Sequence, residues 1–409
     1  MSGKEKPSAA LRRVATGDLC SGCGACAAIA PRQIEMELSP PGFLRPRQSG
    51  PVSADEDARI FRVCPGLGQS VEAAGRMSHP LWGPYLEMRS GWARDADLRH
   101  RGSSGGALSA LLVWLVDSGR VAGALTNGAD PGRAVANVPV IVRSREEVAE
   151  AAGSRYAPSA PLAALGTVPD DGRPYAFVGK PCDAAAFRAL SETRPDLETK
   201  FPVILSFFCA GVPALAGAEA VLSELGTAPD EVVSFRYRGH GWPGRATAVL
   251  SDGTDRSMSY HESWGGILSS RVQHRCKICA DGTGVAADIV CADAWETDAR
   301  GYPLFEERDG VSLIVARTPK GADLLAAAEA AGAIVTQPFD VARLAAMQPG
   351  QTRRRQALPG RLAALRLLGR PVPRYRGLDL GAAARTGSVR WVARNFLGML
   401  RRGMRGKRF

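Results

Sequence analysis

Residues 175–213 read YAFVGKPCDAAAFRALSETRPDLETKFPVILSFFCAGVP, and the fold turns on how this stretch is divided. Two short apolar runs, Tyr175–Gly179 and Val203–Phe208, bracket an alanine-rich segment, Asp183–Leu190. The runs predict strands and the segment between them a helix. Moving outward, the same alternation recurs from about Glu87 to Thr336. Strands are expected over Ala287–Cys291 and Val311–Ala316, and helices over Gly105–Ser118, Pro213–Leu225 and Gly321–Ala331. Such alternation predicts an α/β core on a mixed or parallel sheet. Cys182 and Cys209 each follow a predicted strand. Strand ends of this fold class converge on one edge of the sheet, where ligands bind.

Upstream of the core, Cys20-Ser-Gly-Cys23-Gly-Ala-Cys26 is completed by a distant Cys64-Pro65. Three cysteines at three-residue spacing plus a remote Cys-Pro suit one 4Fe–4S cluster, with Gly and Ala letting the backbone approach its sulfurs. Zinc, which favours two separated Cys-x-x-Cys pairs, and unligated buried thiols are the competing readings. In a two-cluster ferredoxin a fourth Cys follows the triplet after three residues; here Ala30 holds that place, so one cluster is expected. In the core, Cys276-Lys-Ile-Cys279 together with Cys182 and Cys209 offers four thiolates for a second cluster. The plainer reading makes the strand-end cysteines small buried hydrophobes. Cys291, in strand-like apolar surroundings, is the spare.

The chain has 409 residues, 45% hydrophobic and 23% charged, which excludes wholesale disorder and predicts two to three domains. We divide it into a ferredoxin-like module (1–76), a connector (Met77–Leu86), a catalytic core (87–345) and a basic, partly helical extension (346–409). No apolar run is long enough to span a membrane and no secretory leader is evident, so a cytoplasmic protein is expected. The net charge of +11 suggests nucleic acid, but its distribution argues otherwise. Seventeen Arg or Lys against one acid, Asp379, lie between Val341 and Phe409, leaving the rest of the chain about five charges negative. Nothing matches a base-reading module, and no nucleic-acid partner is expected.

In family order over about residues 15–320 stand CSGCGAC, Arg101-Gly-Ser103-Ser104-Gly105-Gly106, Ser154-Arg155-Tyr156 and GKPC at 179–182. FFCAGVP at 207–213, Phe235-Arg236-Tyr-Arg238, Gly241-Trp242, CKIC at 276–279 and ADIVCADAW at 287–295 follow. With these the chain resembles the coenzyme F420 hydrogenase/dehydrogenase beta-subunit family. That family includes plant 7-hydroxymethyl chlorophyll a reductase and a ferredoxin-dependent divinyl chlorophyllide reductase. The resemblance implies an FAD-containing iron–sulfur oxidoreductase whose core cluster falls on Cys182, Cys209, Cys276 and Cys279. Two departures are the missing second ferredoxin triplet and Cys291, where the family usually has Gly.

Gly102–Gly106 also spells the Gly-x-Ser-x-Gly elbow of hydrolases, but the charged run Arg94–Arg101 cannot be the buried strand that the elbow needs. We read it as a helix N-terminus: Ser103 or Ser104 caps, and Gly105 and Gly106 turn N–H groups toward the FAD pyrophosphate, with Arg101 as a second contact. Leu108, Leu111, Leu112 and Leu115 would form the buried stripe; an ordinary capped core helix is the alternative. On the family reading, Tyr156, Lys180, Arg236, Arg238 and Trp242 join the cofactor site; an exposed hairpin is the plainer account of the last three. Gly239–Gly244 mimics a dinucleotide fingerprint but precedes a strand-like segment, Ala246–Leu250, instead of a helix. His274 is the single histidine near a cluster candidate.

Along Gly387–Arg405, Val389, Val392, Phe396, Met399 and Leu400 fall on one helical side, with Arg390, Arg394, Arg401 and Arg405 elsewhere. Such a helix could meet an anionic membrane surface or an acidic ferredoxin, or be a solvated extension. The expected function is electron passage between a ferredoxin-type donor, two 4Fe–4S clusters and FAD, which reduces or oxidises an organic ring compound. The alternatives are an oxidoreductase of coenzyme F420 and a non-catalytic electron-transfer subunit. No catalytic residue is assigned.

Overall fold

The computed structural model describes residues 7–296, 304 and 306–404, so Arg405 lies outside them. Its centre is an eight-stranded mixed sheet in the order Ile334–Pro338, Glu87–Ala93, Ser312–Ala316, Ile289–Asp293, Val203–Phe207, Ala176–Val178, Ala124–Asp130, Arg133–Val142. The four strands from Ile289–Asp293 to Ala124–Asp130 run parallel, and antiparallel strands flank them on both sides. All four strands named from the sequence are present, shifted by at most two residues.

Strand side chains alternate between two cores. Phe177, Ile204, Val290, Leu313 and Val315 face one, while Val178, Leu205, Ile289, Cys291 and Ile314 face the other. Burial on both faces explains why these strands read as continuous apolar runs. The second face is covered by helices Ala107–Asp117 and Pro319–Ala330. On the first face, helix Pro181–Ser191 stacks Phe187 on Phe177 at 4.7 Å. A separate three-stranded antiparallel sheet, Val232–Arg236, Arg245–Leu250 and Asp255–Ser259, packs on helix Leu215–Glu224. Arg245 therefore starts a strand directly after Gly244, as the reading against a dinucleotide site requires.

The N-terminal segment comprises helices Ala9–Gly17 and Ala25–Ile29, a hairpin of Ile34–Ser39 with Phe43–Gln48, and helix Ala54–Val63. Its apolar residues Ala10, Ile29 and Ile60 belong to the same hydrophobic cluster as Phe177 and Phe187. Ser53 opens the last helix with a reciprocal cap: its Oγ accepts from Glu56 N at 3.2 Å, and its N–H donates to the Glu56 carboxylate at 2.8 Å. Ser53→Ala should cost about 1 kcal/mol in a urea titration; an unchanged midpoint would show that the cap contributes nothing.

One expectation needs correction, and one alternative for the tail falls away. The Met77–Leu86 connector is a hairpin, Met77–His79 with Gly83–Tyr85, and Trp82 at its turn is 1% exposed. The turn-forming Pro and Gly residues are legible in the sequence; the buried indole that anchors the turn is not. The tail, too, is more than a solvated extension. Helix Val389–Met404 lies on helix Pro349–Leu367, burying Met399, with Phe396 and Leu400 half-buried. Val389, at the open end of the helix, is 83% exposed instead of joining that side. Between these helices, Arg374–Arg376 pairs in parallel with Gly68–Ser70, joining the two ends of the chain. No helix among the described residues is long and apolar enough to cross a membrane.

Candidate functional site

Three groups of residues meet at the carboxyl ends of the parallel strands and beneath them. The first is the N-terminal cysteine set. Cys20, Cys23, Cys26 and Cys64 line one small void, together with Leu11, Ile29, Met36 and Ile60. Gly22 and Gly24 hold the loop with φ of 80° and 86°, and a side chain on Gly24 would strike Ala163. Burial first, and the neighbouring cysteines after it, push the Cys23 thiol up to about 12 and the Cys64 thiol to about 11. Thiols buried together in this way are costly to ionise without a cation.

The second is the core set. Burial raises Cys182 first, with Cys209 and Cys276 adding to it; Cys209 is pushed to about 12 by burial, then by Cys276 and Cys279. Cys276 Sγ accepts from Val212 N at 3.4 Å and Gln273 Nε2 at 3.5 Å. Cys291 is raised by burial alone. Its parity in the strand explains this, since it shares the face of Ile289, opposite Val290. Among the described residues no three His, Cys, Asp or Glu side chains converge tightly enough to hold a single ion. The N-terminal thiols surround a space instead of meeting at a point. Four buried thiols are a donor set that a zinc ion or an iron–sulfur cluster would each accept.

The third is a cavity of about 290 Å³. Val178, Phe207 and Asp293 bring the parallel strands to it, and Ser103, Gly106 and Leu108 bring the start of helix Ala107–Asp117. Cys209 lines this cavity and also belongs to the core thiol set. The long helix Pro349–Leu367 fixes it there: Gln351 Nε2 and Arg354 Nη2 donate to the Cys209 carbonyl at 2.9 and 2.6 Å.

At the cavity wall Arg238, 2% exposed, pairs with Asp293 at 2.9 and 3.0 Å, donates to Pro243 O at 2.8 Å and also to Ser103 O. Burial, the largest single effect, disfavours its charge, but Asp293 together with Tyr156 and Tyr260 overcomes it and keeps the guanidinium ionised. Tyr260 and Trp295 cover it at 4.6 and 5.2 Å, and Trp242 stacks on Trp295 while donating to Asp293 at 2.8 Å. Lys180, also buried, donates to Asp183 at 2.7 and 2.8 Å and to Ser159 O at 3.1 Å. Burial raises the Asp183 carboxyl on balance, while the bidentate Lys180 contact and the Lys180 N–H at 3.2 Å pull it back toward the ionised form.

Of the residues named from sequence, Ser103, Ser104, Gly106, Tyr156, Lys180 and Arg238 line the cavity. Trp242 reaches it through Trp295 and Asp293. Arg101 turns to Asp97 at 2.9 Å and Arg236 to Thr247 at 3.3 Å, and neither is part of the lining. The cap also differs from expectation: Gly106, with φ 68°, is the N-cap and neither serine caps. Ser104 Oγ is engaged by Val311 O and Ser312, Ser103 Oγ accepts from Ser154 N, and Gly105 N–H donates to Ser312 Oγ at 3.0 Å. Gly105 therefore has no N–H to offer an anion. His274 is buried, and its ring is held neutral, near 3, by burial and surrounding cations. Sequence reasoning missed Asn127, whose buried Oδ1 has no hydrogen-bond partner and lines the cavity. It also left Asp293, Tyr260 and Trp295 unassigned, although Asp293-Ala-Trp295 stood within a recognised motif.

Two family models match, both for the beta subunit of coenzyme F420 hydrogenase/dehydrogenase: its N-terminal part over residues 88–166 and its C-terminal part over residues 172–342. The chain is 24% identical over 334 residues to a coenzyme F420-dependent sulfite reductase of Methanocaldococcus jannaschii, covering 78% of this chain and 47% of that one. It is 27% identical over 258 residues to the F420-dependent formate dehydrogenase 1 beta subunit of Methanococcus maripaludis (58% and 63%). It is 24% identical over 305 residues to the coenzyme F420 hydrogenase beta subunit of Methanothermobacter thermautotrophicus (71% and 99%). The chain thus spans about half of the first relative and under two thirds of the second. A solved structure of the F420-reducing NiFe hydrogenase complex of Methanosarcina barkeri shares the fold, with a TM-score of 0.54 at 20% identity over 70% of this chain and 95% of that one.

Proposed function

Given that the chain belongs to the coenzyme F420 hydrogenase/dehydrogenase beta-subunit family, we propose that it is an iron–sulfur flavoprotein passing electrons between two 4Fe–4S clusters, FAD and an organic ring substrate. The relatives' names favour coenzyme F420 as that substrate. The observation that carries the reading is the double position of Cys209, in the core thiol set and in the cavity wall. With a cluster on that thiol set, it would put a one-electron centre beside a site for an organic molecule.

Cys20, Cys23, Cys26 and Cys64 would hold one cluster and Cys182, Cys209, Cys276 and Cys279 the other. When bound, the clusters supply one-electron steps and FAD converts them to two-electron exchange. This chain's residues do the rest. The cavity is at the lower limit of small-molecule pockets, enough for a flavin-type ring. Asn127 lines the cavity with a buried Oδ1 that lacks a hydrogen-bond partner, so a small side-chain rotation would offer that acceptor to a ring imide N–H. Arg238, fixed by Asp293 and roofed by Tyr260 and Trp295, places a permanent cation at the wall, and the aromatic rings keep water out. A ferredoxin-type donor, or an anionic membrane, would meet the exposed Arg390, Arg394 and Arg401 of the last helix. Two of the relatives are named as subunits, which favours a larger assembly with protein partners.

The test is an anaerobic visible spectrum with iron, sulfide and flavin quantitation, followed by addition of F420. About eight irons, eight sulfides and one FAD, with reversible bleaching of F420, are expected. Iron and FAD without bleaching would replace F420 by another ring compound, and zinc without flavin would overturn the reading. Cys23→Ser should lose about half the iron while keeping FAD; unchanged iron would remove the N-terminal assignment.

A further inference from the structure

Four buried arginines, Arg238, Arg275, Arg317 and Arg355, are at most 5% exposed, and three of them have clear partners. Arg238 has Asp293; Arg317 donates to the carbonyls of Trp82, Pro84 and Thr283; Arg355 donates to those of Pro80, Ala280 and Leu378. Arg275 is different. It is 2% exposed, yet only Nη2 is bonded, to Pro65 O at 2.7 Å. Nε and Nη1 are buried without a hydrogen-bond partner, and among the described residues no carboxylate pairs with it. The Tyr375 ring, 5.8 Å away, is its other contact.

A buried cation without an anion is among the costliest arrangements in a protein. The position of Arg275 says where the anion belongs. Pro65 directly follows Cys64 of the N-terminal set, and Arg275 directly precedes Cys276 of the core set. The neighbouring Gln273 spans the same seam, donating to Ser21 O at 3.2 Å and to Cys276 Sγ at 3.5 Å. We propose that Arg275 is the shared counter-ion of the two thiolate-bound centres, with its Nε–H and Nη1–H groups donating to their sulfurs. This rests on the two-cluster reading above. Four thiolates around an iron–sulfur core leave net negative charge, and each added electron increases it. A guanidinium between the centres stabilises the reduced states and raises both potentials. Arg275 is a positioning and tuning residue; it touches no substrate.

The experiment is a reductive titration of the anaerobically purified full chain, followed by electron paramagnetic resonance, for wild type, Arg275→Met and Arg275→Lys. Arg275→Met should keep its iron and shift reduction of at least one centre tenfold or more toward the oxidised form, about 59 mV for one electron. Arg275→Lys, which keeps the charge but not the planar fork, should lie between. Thermal unfolding adds a second readout, because a merely structural arginine would shift the metal-free and the loaded protein in the same direction. Arg275→Met should be neutral or stabilising in metal-free protein, where it removes an uncompensated cation, and destabilising in loaded protein. Wild-type iron with unchanged potentials in both variants overturns the inference alone. Wild-type protein isolated anaerobically with no iron in either set overturns the two-cluster reading, and the inference with it. Should Arg275→Met fail to accumulate, an unchanged potential in Arg275→Lys still overturns the inference.

Discussion

Asp293→Ala should cost the fold about 3–5 kcal/mol, because it strips the carboxylate from a guanidinium that cannot reach water. Arg238 is 2% exposed, and Asp293 supplies both of its ionic contacts. The carbonyls of Pro243 and Ser103 would remain, which places the expectation toward the lower end of that range. Trp242 would also lose its acceptor, loosening the stack on Trp295. Asp293→Asn keeps an acceptor and should fall well short of the alanine variant. Urea unfolding measures both. An alanine variant within about 0.5 kcal/mol of wild type would mean that the pair is not what holds the cavity wall.

The second large effect is expected at Cys209. Cys209→Ser should lose about half the iron, as is expected of Cys23→Ser, but the two variants should part in what remains. With Cys23→Ser, the core set still abuts the cavity through Cys209. With Cys209→Ser, the N-terminal set is untouched while the wall shared by thiols and cavity is broken. Loss of substrate reduction, with the N-terminal signal retained on chemical reduction, is the expected pattern. Full activity in Cys209→Ser would refute the relay through the core centre.

Much of the scaffold was readable because burial on both sheet faces writes itself as apolar runs, as in Val203–Phe207 and Ser312–Ala316. The Cys-x-x-Cys spacings at 20–26 and 276–279 are local and legible, and the fold brings the more distant Cys64, Cys182 and Cys209 within electrostatic reach of them; that they ligate iron is the proposal above. What escaped is what depends on distant partners. Whether Ser104 caps its own helix or bonds Val311 and Ser312, two hundred residues away, has no local signature. Arg101 and Arg238 look alike in sequence; one finds Asp97 at the surface and the other Asp293 under two aromatic rings. Trp82 sits in a Pro- and Gly-rich stretch that resembles linker, because turn residues outvote a single indole.

The pairing of Arg374–Arg376 with Gly68–Ser70 bears on biosynthesis. The strand beginning four residues after Cys64 gains its neighbour only once residue 376 has left the ribosome. Closing a loop of some three hundred residues is slow compared with local folding. Until it closes, the edge of the segment that carries Cys64 stays uncovered, and so does the face that helix Pro349–Leu367 will later seal. The last part of the chain to leave the ribosome is thus the part that completes the edge beside Cys64 and fixes the Cys209 carbonyl.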